Sequence, residues 1–171
     1  TYHTIYEAYA HYLFLPGLLT KPFIKRSVLS FCAEVDGIIA PSRAIKTYLE
    51  TENIKTPICV LPSGLQHRFF TDEIIARPIE QGSLRLLTVG RMVKEKNIDR
   101  LLRVASLLNK RDITFSLTLV GYGAEYELLQ HYAFNELKLS PKQILFVHQP
   151  PKEEIVRLYR ESDIFLFSSH T

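Results

Sequence analysis

Arg91 and Lys96 stand five positions apart, just beyond an apolar run from Leu84 to Val89 that ends in Gly90. The run reads as a buried strand, and Asn97 to Asn109 reads as the helix after it, with Ile98, Leu101, Leu102, Ala105 and Leu108 on one face. Ligands of an open α/β sheet bind outside the carboxyl ends of the strands. A helix N-terminus at that place favours anions through its free N–H groups and its dipole. A guanidinium adds a planar fork of donors, and an ammonium adds a mobile point charge. Together they make a socket for a diphosphate. A solvated basic loop is the plain alternative for an Arg and a Lys at this spacing.

Other residues invite chemistry less specifically. Gly121 and Gly123 form a Gly-x-Gly turn after a second apolar run, Phe115 to Val120. The full dinucleotide fingerprint wants another glycine where Tyr126 stands. That weighs against a nicotinamide cofactor and for a tight strand–helix turn lining a cleft. Gly64 permits positive φ and close approach of backbone to a ligand, or makes a simple turn. His3 can hydrogen-bond a sugar or gain charge as pH falls, although a lone histidine is usually structural; His11 and His148 read as structural on the same ground. Asp163 stands alone, without the Asp-x-Asp pattern of a metal site, and reads as a helix-end residue. Tyr6, Tyr9, Tyr12, Phe14 and Leu15, followed by Lys21, Lys25 and Arg26, suit a bilayer interface, or equally aromatic core residues beside a solvated helix face.

Composition narrows the classes. With 171 residues, the chain fits one large domain or one and a half ordinary ones, and 46% hydrophobic with 23% charged residues is ordinary for a globular protein. A net charge of +3, without a Lys/Arg stripe, argues against nucleic acid. Cys32 and Cys59 lie far apart and suggest neither a zinc site nor a disulfide framework, so a reducing, cytoplasmic compartment is expected. The apolar stretch Tyr12 to Leu19 is broken by Pro16 and Gly17 and is too short to span a bilayer, and no signal peptide is visible.

The elements that position these residues follow one pattern. Strands are expected at 84–90, 115–121, 144–147 and 164–168, with helices at 97–109, 124–137 and 152–161. Such alternation means β-α-β units and a parallel sheet. Earlier, helices are expected at 22–35 and 43–51, the second capped by Ser42, and strands at 37–40 and 57–61. The composition changes near residues 66–83: residues 66–72 carry turn and charge signals, and residues 77–83 lack helical or strand periodicity and read as a linker. The expected division is therefore 1–82, the later part of a first α/β domain with its linker, and 83–171, most of a second. Each half reads as incomplete, so the chain is expected to be a fragment or one part of a larger enzyme.

Six pieces in order carry a resemblance: Tyr2-His3-Thr4; Ile39-Ala40-Pro41-Ser42; Leu61-Pro62-Ser63-Gly64; Val89-Gly90-Arg91 with Glu95-Lys96-Asn97; Leu119-Val120-Gly121-Tyr122-Gly123; and Leu158-Tyr159-Arg160-Glu161-Ser162-Asp163-Ile164-Phe165. The chain resembles family four of the retaining glycosyltransferases, which have the GT-B fold of two facing Rossmann-like domains. The stretch from His3 to Tyr12 looks most like enzymes that glucosylate diacylglycerol at the cytoplasmic membrane face. The family's glycine-rich loop would precede Thr1, and its paired-glutamate motif would follow Thr171.

The resemblance implies a set of roles. Arg91 and Lys96 bind the donor pyrophosphate, taking the place of a divalent metal, so neither metal nor cofactor is expected and the UDP-sugar is a substrate. His3 faces the catalytic cleft, and Thr4 and Tyr6 face the acceptor. Gly64, Gly90, Gly121 and Gly123 line the donor site. The His148–Gln149 turn runs beside the nucleobase, and Ser169 and Thr171, with Ser168, lie near the sugar. The implied reaction moves a hexose, glucose first among candidates, from a UDP-sugar to a membrane lipid with retention of configuration. The implied location is the inner face of the cytoplasmic membrane. Transfer to a polysaccharide or lipid-linked precursor is the alternative within the class. A nucleotide-binding module, silent when isolated, is the alternative outside it.

Overall fold

The computed structural model describes residues 2, 17–65, 69 and 83–169. The chain forms two compact units, Thr1–Gln66 and His67–Thr171. The linker expected before residue 83 falls mostly outside the described residues.

In the first unit, α1 (Gly17–Glu34) leads to β1 (Ile38–Ala40), α2 (Arg43–Thr51) and β2 (Ile58–Val60). β1 and β2 pair in parallel, Ile38 with Ile58 and Ala40 with Val60. The Tyr2 N–H donates to the Ile39 carbonyl at 2.8 Å. Successive backbone groups of a strand face opposite edges, so Tyr2 lies on the edge of β1 away from β2. Ser42 caps α2 as its residue type predicts, its hydroxyl accepting from the Ile45 N–H at 3.3 Å. The apolar stripe of α2, Ile45, Tyr48 and Leu49, packs with Cys32, Ile38 and Tyr2. Lys25 and Glu52 join α1 to the end of α2 at 2.6 Å. α1 begins five residues earlier than expected, so Pro22 lies inside the helix rather than at its start.

The second unit holds β3 (Leu84–Val89), α3 (Ile98–Lys110), β4 (Phe115–Val120), α4 (Tyr126–His131), β5 (Ile144–Val147), α5 (Lys152–Glu161) and β6 (Ile164–Phe165). The strands form one parallel sheet in the order β5-β4-β3-β6. β3 to β5 advance in one direction, and the chain then returns to place β6 on the far side of β3. The order therefore reverses at β3, which makes the gap between the loops after β3 and β6 the topological switch point. Leu86, Leu117, Leu119 and Ile144 from the strands pack with Ile98, Leu101, Leu102 and Ala105 of α3. Continuous apolar strands of this kind are what a sheet covered by helices requires.

In this second unit two elements depart from the expected pattern. The helix expected at 124–137 is α-helical only to His131 and continues as a π-helical turn, Tyr132–Glu136. β6 ends at Phe165 rather than 168, because the chain leaves the ladder to meet the turn before α3. Asp163 is not merely a helix-end residue. Its carboxylate accepts from the Arg85 N–H at 2.8 Å, from Nε at 3.1 Å and from Nη2 at 2.6 Å. Its own N–H donates to the Arg85 carbonyl at 2.8 Å, tying the start of β6 to β3.

Candidate functional site

The ladder of the second sheet runs on past its strands. The Gly90 N–H donates to the Val120 carbonyl at 2.9 Å, Met92 to Tyr122 at 2.7 Å, and Gly121 to Val147 at 3.0 Å. Residues 90–92, 121–123 and 147 are therefore held side by side at the carboxyl ends. Glycine is required there for contact between backbones. A Cβ at Gly121 would lie 1.8 Å from the Gly90 oxygen, and one at Gly123 would lie 2.3 Å from the Met92 oxygen. Their φ angles of +149° and +155° are also ones that L side chains rarely adopt. The Gly-x-Gly turn is thus the seat of the loop that carries Arg91. Gly90 itself has open space where a Cβ would stand.

Lys96 is placed by a second set of contacts. It closes a 3₁₀ turn, Lys94–Lys96, with its N–H on the Val93 carbonyl at 2.9 Å. Asn97 then takes the left-handed conformation, φ 49° and ψ 41°, and α3 begins. The segment after β6 clamps this turn. The Ser168 hydroxyl lies 2.8 Å from the Lys96 carbonyl and 3.0 Å from that of Asn97, and the Ser169 hydroxyl lies 3.3 Å from that of Glu95. Asn97 Nδ2 donates back to the Ser168 carbonyl at 3.1 Å. The Lys96 ammonium stands 5.8 Å from the centre of the Phe167 ring. Both sides of the switch point are thereby joined, with the lysine between them.

Glu95 lies between the two cations in sequence, and the sequence reading gave it no role. It is 7% exposed. Its carboxylate is 3.6 Å from the Arg91 guanidinium, whose side chain is 55% exposed. Two strands away, the exposed His148 ring meets Tyr126 edge-on at 5.1 Å and Tyr122 at 6.3 Å. Gln149 follows with φ 46°.

The second unit therefore gathers Gly90, Arg91, Lys96, Gly121, Gly123, His148, Gln149 and Ser169 at the carboxyl ends of one sheet. Gly64 belongs to the first unit and is exposed, with open space around the position of a Cβ. His3, Thr4, Tyr6 and Thr171 lie outside the described residues. Among the described residues, no group of three or more His, Cys, Asp or Glu could hold a metal ion. No helix among them is long and apolar enough to cross a membrane.

A parallel α/β sheet with an Arg and a Lys at its switch point is chemically suited to an anionic ligand. Residues 70–171 match the family Glycosyl transferases group 1, and the chain belongs to that family. It is 29% identical to an alpha-monoglucosyldiacylglycerol synthase of Streptococcus pneumoniae over 99% of its own length and 40% of the synthase. It is 34% identical to the amylovoran biosynthesis glycosyltransferase AmsK of Erwinia amylovora over 52% of its length and 21% of AmsK. The chain thus spans less than half of either relative. Its fold is that of GT-B glycosyltransferases. The pneumococcal O-GlcNAc transferase GtfA, solved with UDP and GlcNAc, matches 82% of this chain and 27% of GtfA, with a TM-score of 0.64 and 21% identity.

Proposed function

We propose that this protein transfers a hexose, glucose first, from a UDP-sugar to a diacylglycerol-type membrane lipid, with retention of the α configuration. The observation that carries the reading is the placement of Arg91 and Lys96 on the connection from β3 to α3, which is fastened to the Gly-x-Gly turn on one side and to Ser168 on the other, at the switch point of the sheet. As the glycosidic bond breaks, negative charge grows on the departing nucleoside diphosphate. Fixed cations aimed at that charge stabilise the transition state more than the ground state, and removal of one such contact typically costs about 10²–10³ in rate. In this reading the two side chains do the work of a divalent metal. The His148–Gln149 turn borders the nucleobase, and Gly64, Ser169 and Thr171 border the donor. His3 acts at the reacting centre, with Thr4 and Tyr6 towards the acceptor. A lipid acceptor places the protein at the inner face of the cytoplasmic membrane. The synthase relative supports a lipid acceptor, whereas the AmsK relative favours a second reading, transfer to a polysaccharide precursor.

The test is transfer of labelled glucose from UDP-glucose to vesicles containing diacylglycerol, with the product's anomeric configuration read by proton NMR. An α-glucosyl lipid is expected. A β-linked product would overturn retention, and label entering only polysaccharide precursors would select the second reading. UDP bound without any transfer would leave a nucleotide-binding module.

A further inference from the structure

We infer that Glu95 is a positioning residue, a fixed buried carboxylate that aims the Arg91 guanidinium at the donor diphosphate. This rests on the reading of Arg91 given above and adds a residue to it.

Simple electrostatics makes Glu95 an odd neighbour for an anion site. A carboxylate there repels phosphate and offsets the two cations on either side. Burying it also carries a desolvation cost that only good partners offset. Yet Glu95 is 7% exposed, on a turn whose backbone is held from both directions. The Lys96 and Asn97 N–H groups close the turn on Val93 and Lys94 at 2.9 and 3.2 Å. The Ser169 hydroxyl holds the Glu95 carbonyl at 3.3 Å from the other strand end. The carboxylate therefore has a fixed origin, whereas Arg91 projects a long, half-exposed side chain from the loop end. Left alone, such a side chain loses rotamer freedom on meeting a ligand. The 3.6 Å ion pair draws one Nη group towards the carboxylate. A guanidinium has five N–H donors, so one group drawn to Glu95 leaves others for phosphate. Glu95 thus restrains Arg91 before the donor arrives, at the cost of some attraction for the anion.

The two roles predict opposite signs. If Glu95 is a bystander, neutralising it strengthens UDP binding, because a repulsive charge is lost. If it positions Arg91, neutralising it weakens binding, and only while Arg91 is present. The experiment is UDP calorimetry on the wild type, Glu95→Gln, Arg91→Ala and the double variant, each checked for an unchanged melting transition. The expected result is a roughly tenfold higher Kd for Glu95→Gln, the scale of one charge-assisted hydrogen bond. In the Arg91→Ala background the same substitution should change Kd by less than about twofold, since the two act as one unit. Tighter or unchanged binding by Glu95→Gln overturns the inference, and so does equal weakening in both backgrounds. If Glu95→Gln melts early, Glu95→Asp, which keeps the charge but retracts it, takes its place in the cycle with the same expected pattern. An Arg91→Ala variant that binds UDP like the wild type would instead remove the functional reading beneath it.

Discussion

Asn97 and Ser168 hold each other reciprocally across the switch point of the second sheet. Asn97 Nδ2 donates to the Ser168 carbonyl at 3.1 Å, and the Ser168 hydroxyl lies 3.0 Å from the Asn97 carbonyl. One side of the pair starts α3 directly after Lys96, and the other follows the last strand. Asn97 does this in a left-handed conformation that few residues other than Gly and Asn adopt readily. Substitution by Ala loses both the hydrogen bond and the backbone tolerance, whereas Gly loses only the first. Asn97→Ala should therefore cost about 1.5–3 kcal/mol and Asn97→Gly about 1 kcal/mol. Chemical denaturation midpoints will rank them, and an equal cost for both would deny the backbone part of the account.

The Gly-x-Gly turn makes a sharper contrast. Gly121→Ala places a Cβ 1.8 Å from the Gly90 oxygen, so the Arg91 loop must move or the turn must open. A loss of about 2 kcal/mol or more is expected, from strain and displaced packing together. Gly90→Ala and Gly64→Ala meet nothing within 4 Å and serve as controls that should melt within a degree or two of the wild type. Thermal melts of all three will show whether the glycines of the turn act through backbone contact.

Asp163 should matter to stability although it lies away from the cations. Its carboxylate takes three hydrogen bonds from Arg85, and its side chain is 6% exposed. Asp163→Ala leaves the Arg85 N–H to find another partner, while the Arg85 head, 36% exposed, can turn to water. A loss of about 1–3 kcal/mol is expected in urea denaturation. Only a modest salt dependence should accompany it, because the carboxylate is buried.

The thiols give a pH test. Burial pushes the Cys32 thiol above its ordinary value, while Cys59 is exposed. A raised folded value favours the neutral thiol. Its contribution to stability is complete below the unfolded thiol's value and is lost as pH rises through the folded one. One fast-reacting cysteine is therefore expected at neutral pH, with Cys32 labelled only on unfolding or in alkali. Two equally fast thiols at pH 7 would contradict the burial of Cys32.

Much of this architecture is readable from residue pattern, and the exceptions have physical causes. Ile144–Val147 and Lys152–Glu161 end where expected because turn residues flank a clean apolar or amphipathic run. The stretch after Ala124 keeps helical composition, so its π-helical turn, which adds a residue per turn, leaves no mark on a 3.6 period. β6 stops early because the Ser168 and Ser169 hydroxyls bind a loop some seventy positions away, which no local pattern reports. Arg91 and Lys96 stand out because charge follows an apolar strand. Glu95 does not, since a glutamate among lysines looks solvated until its burial is seen. Gly121 and Gly123 invite a ligand reading, and their close approach to Gly90 and Met92 is a tertiary fact.

The central claim is that Arg91 and Lys96 receive a nucleoside diphosphate, and titration calorimetry of UDP and NAD against the wild type and an Arg91→Ala/Lys96→Ala variant tests it most directly. The account predicts UDP binding to the wild type, no comparable binding of NAD, and a UDP affinity at least a hundredfold weaker in the double variant, from two lost charge-assisted contacts. A folded double variant that binds UDP as the wild type does, or a wild type that prefers NAD, would contradict it.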